Sequence, residues 1–134
     1  MQSKIVVCSM SKNALYQKVY QESHQGTYTA YLRGSRCTGE VEFFREISAS
    51  FQFPCYFGEN WTALDECLCD LEWLNFARIF IAVDDFNLIF NGDKDLQALL
   101  IKYFTIMIEH WEKEGVPVII WLNSGTEAGL REPD

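Results

Sequence analysis

Apolar positions recur on two different periods along this chain, and the switches between them mark out its elements. Val, Ile and aromatic residues cluster in three short runs: TYTAYLR at 27–33, RIFIAV at 78–83 and VPVIIWLN at 116–123. Each has the length and composition of a strand. The last two are continuous rather than alternating, as central strands covered on both faces are. Between them, Asp93 to Glu114 carries Leu96, Leu99, Leu100, Tyr103, Met107 and Trp111 at the spacing of a buried helix face. Asn91-Gly92-Asp93 opens that helix with a turn and a capping carboxylate, and Gly115 with Pro117 soon after closes it. Strand, helix and strand in this order predict a βαβ unit with a parallel sheet.

Upstream, Glu40 to Ser50 reads as a helix with Val41, Phe44, Ile47 and Phe51 on one face and Thr38 as its cap. Phe53-Pro54 interrupts the chain, because a residue before proline is pushed out of the helical region. A second helix is expected from Asn60 to Trp73, with Trp61, Leu64, Cys67, Leu68 and Leu71 inward. Glu59, Thr62 and Glu66 form an outer stripe on it, with Asp65 beside them. The first residues hold a short strand, Ile5–Cys8, and a helix, Lys12–Glu22, with Leu15, Val19 and Tyr20 inward. This predicts a single domain over 1–134: an N-terminal extension (1–27), an α/β core (28–122) and a polar tail (123–134) that frays.

Composition narrows the chemistry. In 134 residues, 49% hydrophobic, no apolar run reaches the ~18 residues of a membrane span, and the N-terminus does not read as a secretory signal. Five cysteines, an odd number beside a good core, argue against a disulfide framework and for a reducing cytoplasm. The net charge of −8 is unevenly spread. Residues 1–39 carry five Lys/Arg against one Glu, whereas 40–85 carry ten acids against Arg45 and Arg78. Such a balance disfavours direct nucleic-acid binding, which needs cations to displace phosphate counterions. It favours a basic partner drawn to the acidic middle of the chain.

Catalytic and metal motifs are absent. Cys67 and Cys69 diverge by about 200° on a helix and make a poor metal pair, and no CxxC or HxxxH spacing supplies other ligands. The eight glycines form no phosphate-binding loop, so no cofactor or metal is expected. Cys8, Cys37 and Cys67 read as buried small hydrophobes. The informative segment is FPCYFGENWTALDECLCDLEWL, Phe53 to Leu74. Gly58 permits a turn, Asn60 caps a helix, Tyr56 and Trp61 flank the turn, and Glu59, Thr62, Asp65 and Glu66 present oxygens from its first turns. Read from the residues alone, the favoured account is a capped helix with a solvated outer face and aromatics packing the loop.

This segment resembles the signature of the barstar family of intracellular ribonuclease inhibitors, a Pro-x-Tyr-Tyr-Gly-Glu-Asn loop followed by Leu-Asp-Ala-Leu-x-Asp-Cys-Leu. Pro54, Tyr56, Phe57, Gly58, Glu59, Asn60, Ala63, Leu64, Cys67 and Leu68 fall on that pattern, and the order of elements is similar over roughly 28–122. The resemblance implies a three-stranded parallel sheet packed by helices, extended here by the N-terminal strand and helix. It also implies a non-enzyme, monomeric before binding, that blocks the active site of a basic ribonuclease or nuclease toxin domain with its loop and acidic helix. Tyr56, Gly58 and Asn60 match contact positions of the family, and Glu66 replaces its key aspartate. Thr62 stands where the family has an aspartate, Asp65 where it has tryptophan, and Trp61 where it has leucine. A second interface carboxylate of the family falls on His110, with Glu109 and Glu112 adjacent. The alternatives are a small enzyme using Cys55 or Cys69 with His110, and an adaptor whose acidic helix faces some other basic protein.

Overall fold

The computed structural model describes residues 2–125; the expected tail lies mostly outside them. Four strands, β1 (Lys4–Cys8), β2 (Thr27–Arg33), β3 (Arg78–Asp84) and β4 (Val118–Asn123), form one parallel sheet in the order β1-β4-β3-β2. Four helices connect them: α1 (Lys12–Glu22), α2 (Glu40–Phe51), α3 (Trp61–Leu68) and α4 (Lys94–Lys113). From β2 the chain steps through β3 to β4 in one direction, whereas β1 to β2 crosses the whole sheet in the other. Right-handed crossovers therefore put α1 on one face and the remaining helices on the opposite face.

The core follows that division. Ala30, Leu32, Ile79, Ile81, Val83, Val118, Ile120 and Leu122 join the main cluster with α2, α3 and α4. Their sheet neighbours Phe80, Ala82 and Ile119 point the other way and pack with Leu15 of α1, Val19 and Trp121. Pro117 stands just before β4 and needs no donor there: its carbonyl accepts from the Ile79 N–H at 3.0 Å. The N-terminal strand adds itself to the free edge of β4, so the sheet has one strand more than the resemblance implies for the core. No helix among the described residues is long and apolar enough to cross a membrane.

Several expectations need correction. Tyr20 is 79% exposed, because its place on α1 turns it away from Leu15. Gly39, not Thr38, is the N-cap of α2, and no side chain caps that end. Phe43, Ile47 and Phe51 form the inner stripe of that helix beside Phe44, and Val41 faces water. The second helix stops at Leu68 rather than Trp73. Leu71 adopts a left-handed φ of 49°, and the resulting turn brings the Trp73 indole N–H to the Phe51 carbonyl at 2.8 Å. On α4 the buried positions are Gln97, Leu100, Phe104, Met107 and Ile108, while Leu96, Leu99, Tyr103 and Trp111 are only partly covered.

One ion pair carries a testable pH dependence. Arg33 grips Glu46 through Nε and Nη2, both at 2.9 Å, and its backbone N–H donates to the same carboxylate. Burial pushes the Glu46 carboxyl up, but the bonds from Arg33 outweigh it and hold the pKa below its ordinary value. The folded state thus binds fewer protons here than the unfolded chain. The stability it contributes is present above the unfolded carboxylate pKa and lost as pH falls through the folded one. Thermal melts below about pH 5 should therefore fall less steeply for Glu46→Gln than for the parent. Equal slopes would show that the pair contributes nothing.

Candidate partner-binding site

Between α2 and α3 the chain runs Gln52–Asn60 as a loop folded over an aromatic base. The Phe57 N–H closes a turn onto the Pro54 carbonyl at 3.0 Å. Phe53 packs on Phe51, Phe57 and Trp73, with its ring 4.8 Å from that of Phe57. This anchors both ends of the segment and leaves Tyr56 standing out, 70% exposed. The left-handed residues of the loop are Gln52, at φ 54°, and Glu59, at φ 52°, and Gly58 is not in that region. Glycine is suited to position 58 by crowding instead: a Cβ there would lie 3.1 Å from the Asn60 amide nitrogen. Asn60 locks the junction as expected, its Oδ1 accepting from Ala63 N at 2.8 Å and its Nδ2 donating to Gly58 O at 3.2 Å.

A groove of about 180 Å³ opens between loop and helix, lined by Tyr56, Phe57, Ala63, Glu66, Cys67 and Asp70. Asp70 escaped the sequence reading, although it lies four residues beyond Glu66. Local desolvation and the carboxylates of Asp70 and Glu72 push the Tyr56 phenol up. Among the described residues, no ion pair engages Glu66 or Asp70; the acids so engaged are Glu22, Glu46, Glu59 and Asp85. The groove thus presents two uncompensated carboxylates and a phenol, with no cation in its lining.

The other expected site residues are distributed around this groove. Thr62 is exposed on α3, and Asp65, half-exposed, accepts from the Cys69 thiol at 3.8 Å. Trp61 turns inward. Its ring stacks on Phe43 at 5.7 Å and on Tyr103 at 5.4 Å, meets Phe44 and Phe90 edge-on, and its Nε1–H donates to Glu40 at 2.7 Å. Tyr103 and Glu40 are contacts that no local pattern announces. His110 sits on α4 with its ring 5.0 Å from Trp111. The Trp111 indole in turn donates to the Leu68 carbonyl at the end of α3 at 2.8 Å, and His110 is not among the residues lining the Tyr56 groove. Glu109 and Glu112 line a separate shallow concavity with Lys113.

All five cysteines are unpaired; Cys37 and Cys67 are buried, Cys8 and Cys69 half-buried, and Cys55 exposed. Burial pushes the Cys37 thiol up to about 12, and burial with Asp65 pushes that of Cys69 up to about 11. A thiolate nucleophile at Cys69 is thereby disfavoured. Maleimide labelling followed by mass spectrometry at pH 7.5 should modify Cys55 first, Cys69 slowly and Cys37 and Cys67 last. Early labelling of Cys69 would contradict this environment. No three His, Cys, Asp or Glu among the described residues are placed to hold a metal ion.

Fold and groove together define an open parallel α/β protein presenting an acidic loop–helix surface. A family model described as Barstar (barnase inhibitor) matches residues 27–123, well over half of the chain, and the chain belongs to that family. A search of curated proteins finds no match. Among solved structures, the ORC2 protein of Aeropyrum pernix, described in ADPNP–ADP complexes, is similar at TM-score 0.62 and 15% identity. The similarity covers 97% of this chain and 37% of that one, and at this identity it speaks to the fold alone. The family match begins at β2, so β1 and α1 are additions to the part of the chain that the family describes.

Proposed function

We propose that this chain is a cytoplasmic, non-enzymatic inhibitor of a basic ribonuclease or nuclease toxin domain, seating the 53–60 loop and α3 in the nuclease cleft. The observation that carries this reading is the pair of uncompensated carboxylates, Glu66 and Asp70, beside the exposed Tyr56 hydroxyl. A nuclease cleft is built of cations that hold phosphate, and carboxylates occupying those positions make charge-assisted hydrogen bonds in their place. Tyr56, Gly58, Asn60, Thr62, Asp65 and Glu66 form the contact surface, with His110 at its margin. Trp61 supports that surface from beneath. Five unpaired thiols suit a reducing compartment.

The residues give no support to nucleotide chemistry of the kind named for the ORC2 neighbour. The link from β1 to α1 holds no glycine. Its Met10 N–H donates to Asn123, Ser11 caps α1, and Lys12 pairs with Asp85 at 2.9 Å, so the groups that would meet a phosphate are already spent.

Affinity capture from the source cell on the immobilised chain tests the proposal. The expected catch is a basic protein that cuts RNA and elutes as salt rises, because exposed charges are screened beyond ~8–10 Å. A catch without nuclease activity would count against it.

A further inference from the structure

The added strand β1 leaves the sheet with an open edge. The Ser124 N–H donates to the Cys8 carbonyl at 3.0 Å, so the backbone groups of Cys8 face β4. Facing alternates along a strand, so Lys4 and Val6 share that direction, and the N–H and C=O of Ile5 and Val7 point outward. Among the described residues, no hydrogen bond reaches those outward groups. The opposite edge of the sheet is treated differently. On β2 the Thr27 N–H donates to the His24 carbonyl at 3.0 Å, the Tyr31 carbonyl accepts from Ser50 Oγ at 3.0 Å, and the Arg33 N–H donates to Glu46 at 2.9 Å. β1 also lacks the devices that keep a bare edge from pairing. It holds no proline, its register with β4 runs from Lys4↔Ile119 to Cys8↔Asn123 without a bulge, and its one charge is Lys4 at the end. Val7 stands 77% exposed, on the same face of the sheet as Ile5.

This strand is complementary to itself. Laid antiparallel across a twofold axis through Val6, Ile5 of one protomer stands opposite the partner's Val7. Those are the residues whose backbone groups face outward, and each such pair exchanges both hydrogen bonds, so every open group is satisfied. A slip of one residue would set outward groups opposite inward ones and lose the match. On one face, Val7 lands against the partner's Ile5 and is covered from water. Lys4 lands opposite the partner's Cys8. The two lysines stay ~13 Å apart at ~3.3 Å per residue, beyond the ~8–10 Å screening length.

We propose that β1 is a homodimer interface, joining two copies of this chain edge to edge into one continuous sheet. β1 precedes the segment that the family model matches, so the dimer belongs to this chain's own extension and departs from the monomer that the resemblance implies. No residue lining the Tyr56 groove lies on β1, α1 or β4, so the pairing does not consume that groove, and each dimer carries two of them.

Sedimentation velocity on the full chain over a concentration series tests this without any nuclease, with amide hydrogen exchange read residue by residue on the same samples. The expected result is a reversible species of twice the chain's mass. Protection of the Ile5 and Val7 amides should rise with concentration, whereas Val6 and Cys8, bonded to β4, are protected throughout. Val7→Pro removes an outward N–H that β4 does not use, and Val7→Lys sets a charge where the partner's Ile5 packs. Each should shift the sedimenting species to monomer with the circular dichroism unchanged. A monomer at every concentration would overturn the proposal, and so would a dimer that survives both substitutions. Protection of Ile5 and Val7 that is independent of concentration would overturn it as well, because the edge would then be held from within one chain, by residues 126–134.

Discussion

Glu66→Ala should weaken binding of the captured nuclease by about 2–5 kcal/mol, a range to which a barstar complex itself contributes. The size comes from desolvation. Glu66 has no ion-pair partner within the described chain, so its contacts are made on docking. Removing it leaves a cleft cation buried and unpaired. Asp70→Ala should act in the same direction, since that carboxylate shares the groove. Glu46→Ala should leave affinity within about 0.5 kcal/mol, as substitutions away from an interface usually do. Its carboxylate is already spent on Arg33, and its loss falls on stability instead. Titration calorimetry with each folded variant separates these outcomes. Parent-like affinity for Glu66→Ala would make the outer stripe of α3 a solvated face.

Trp61→Ala should cost the fold about 3–5 kcal/mol, the range for large aromatic truncations, with partial exposure placing it toward the lower end. Four aromatic rings lose a neighbour, and the Glu40 carboxylate loses its indole donor. The ring also positions the start of α3, so affinity should fall as a consequence of that loosening. Trp61→Phe should recover most of the stability. Tyr56→Ala is the contrasting case. With 70% of its surface exposed, it should leave the melt nearly unchanged and weaken binding directly, as loss of an exposed aromatic anchor does. A Trp61→Ala chain that melts like the parent would contradict the packing described for it.

The elements legible in the sequence were those with strong local signals. The Asn60 cap, the Asp93 cap and the continuous runs of β3 and β4 all lie where residue spacing places them. Failures occurred where a distant contact decides. The end of α3 is set by Trp73 reaching Phe51, and the inward turn of Trp61 by Tyr103 on α4 and Glu40 on α2. The facing of α2 was the other weak point: the helix starts at Glu40 as expected, but its packing against the sheet buries Phe43 with Phe44, Ile47 and Phe51 and leaves Val41 exposed. Of the docking surface, Glu66 and Tyr56 were visible as residue types in a recognisable order. That they share one groove with Asp70, and that no cation among the described residues lines it, is a property of the folded arrangement alone.

The inhibitor reading is tested most directly by RNA cleavage. The captured nuclease, at fixed concentration, is titrated with the purified chain while cleavage of a fluorescent RNA is followed. The account predicts loss of activity in proportion to added chain, complete near one equivalent, with Glu66→Ala requiring a large excess for the same effect. Undiminished cleavage in the presence of saturating, demonstrably bound chain would contradict it, because the bound surface would then lie outside the cleft.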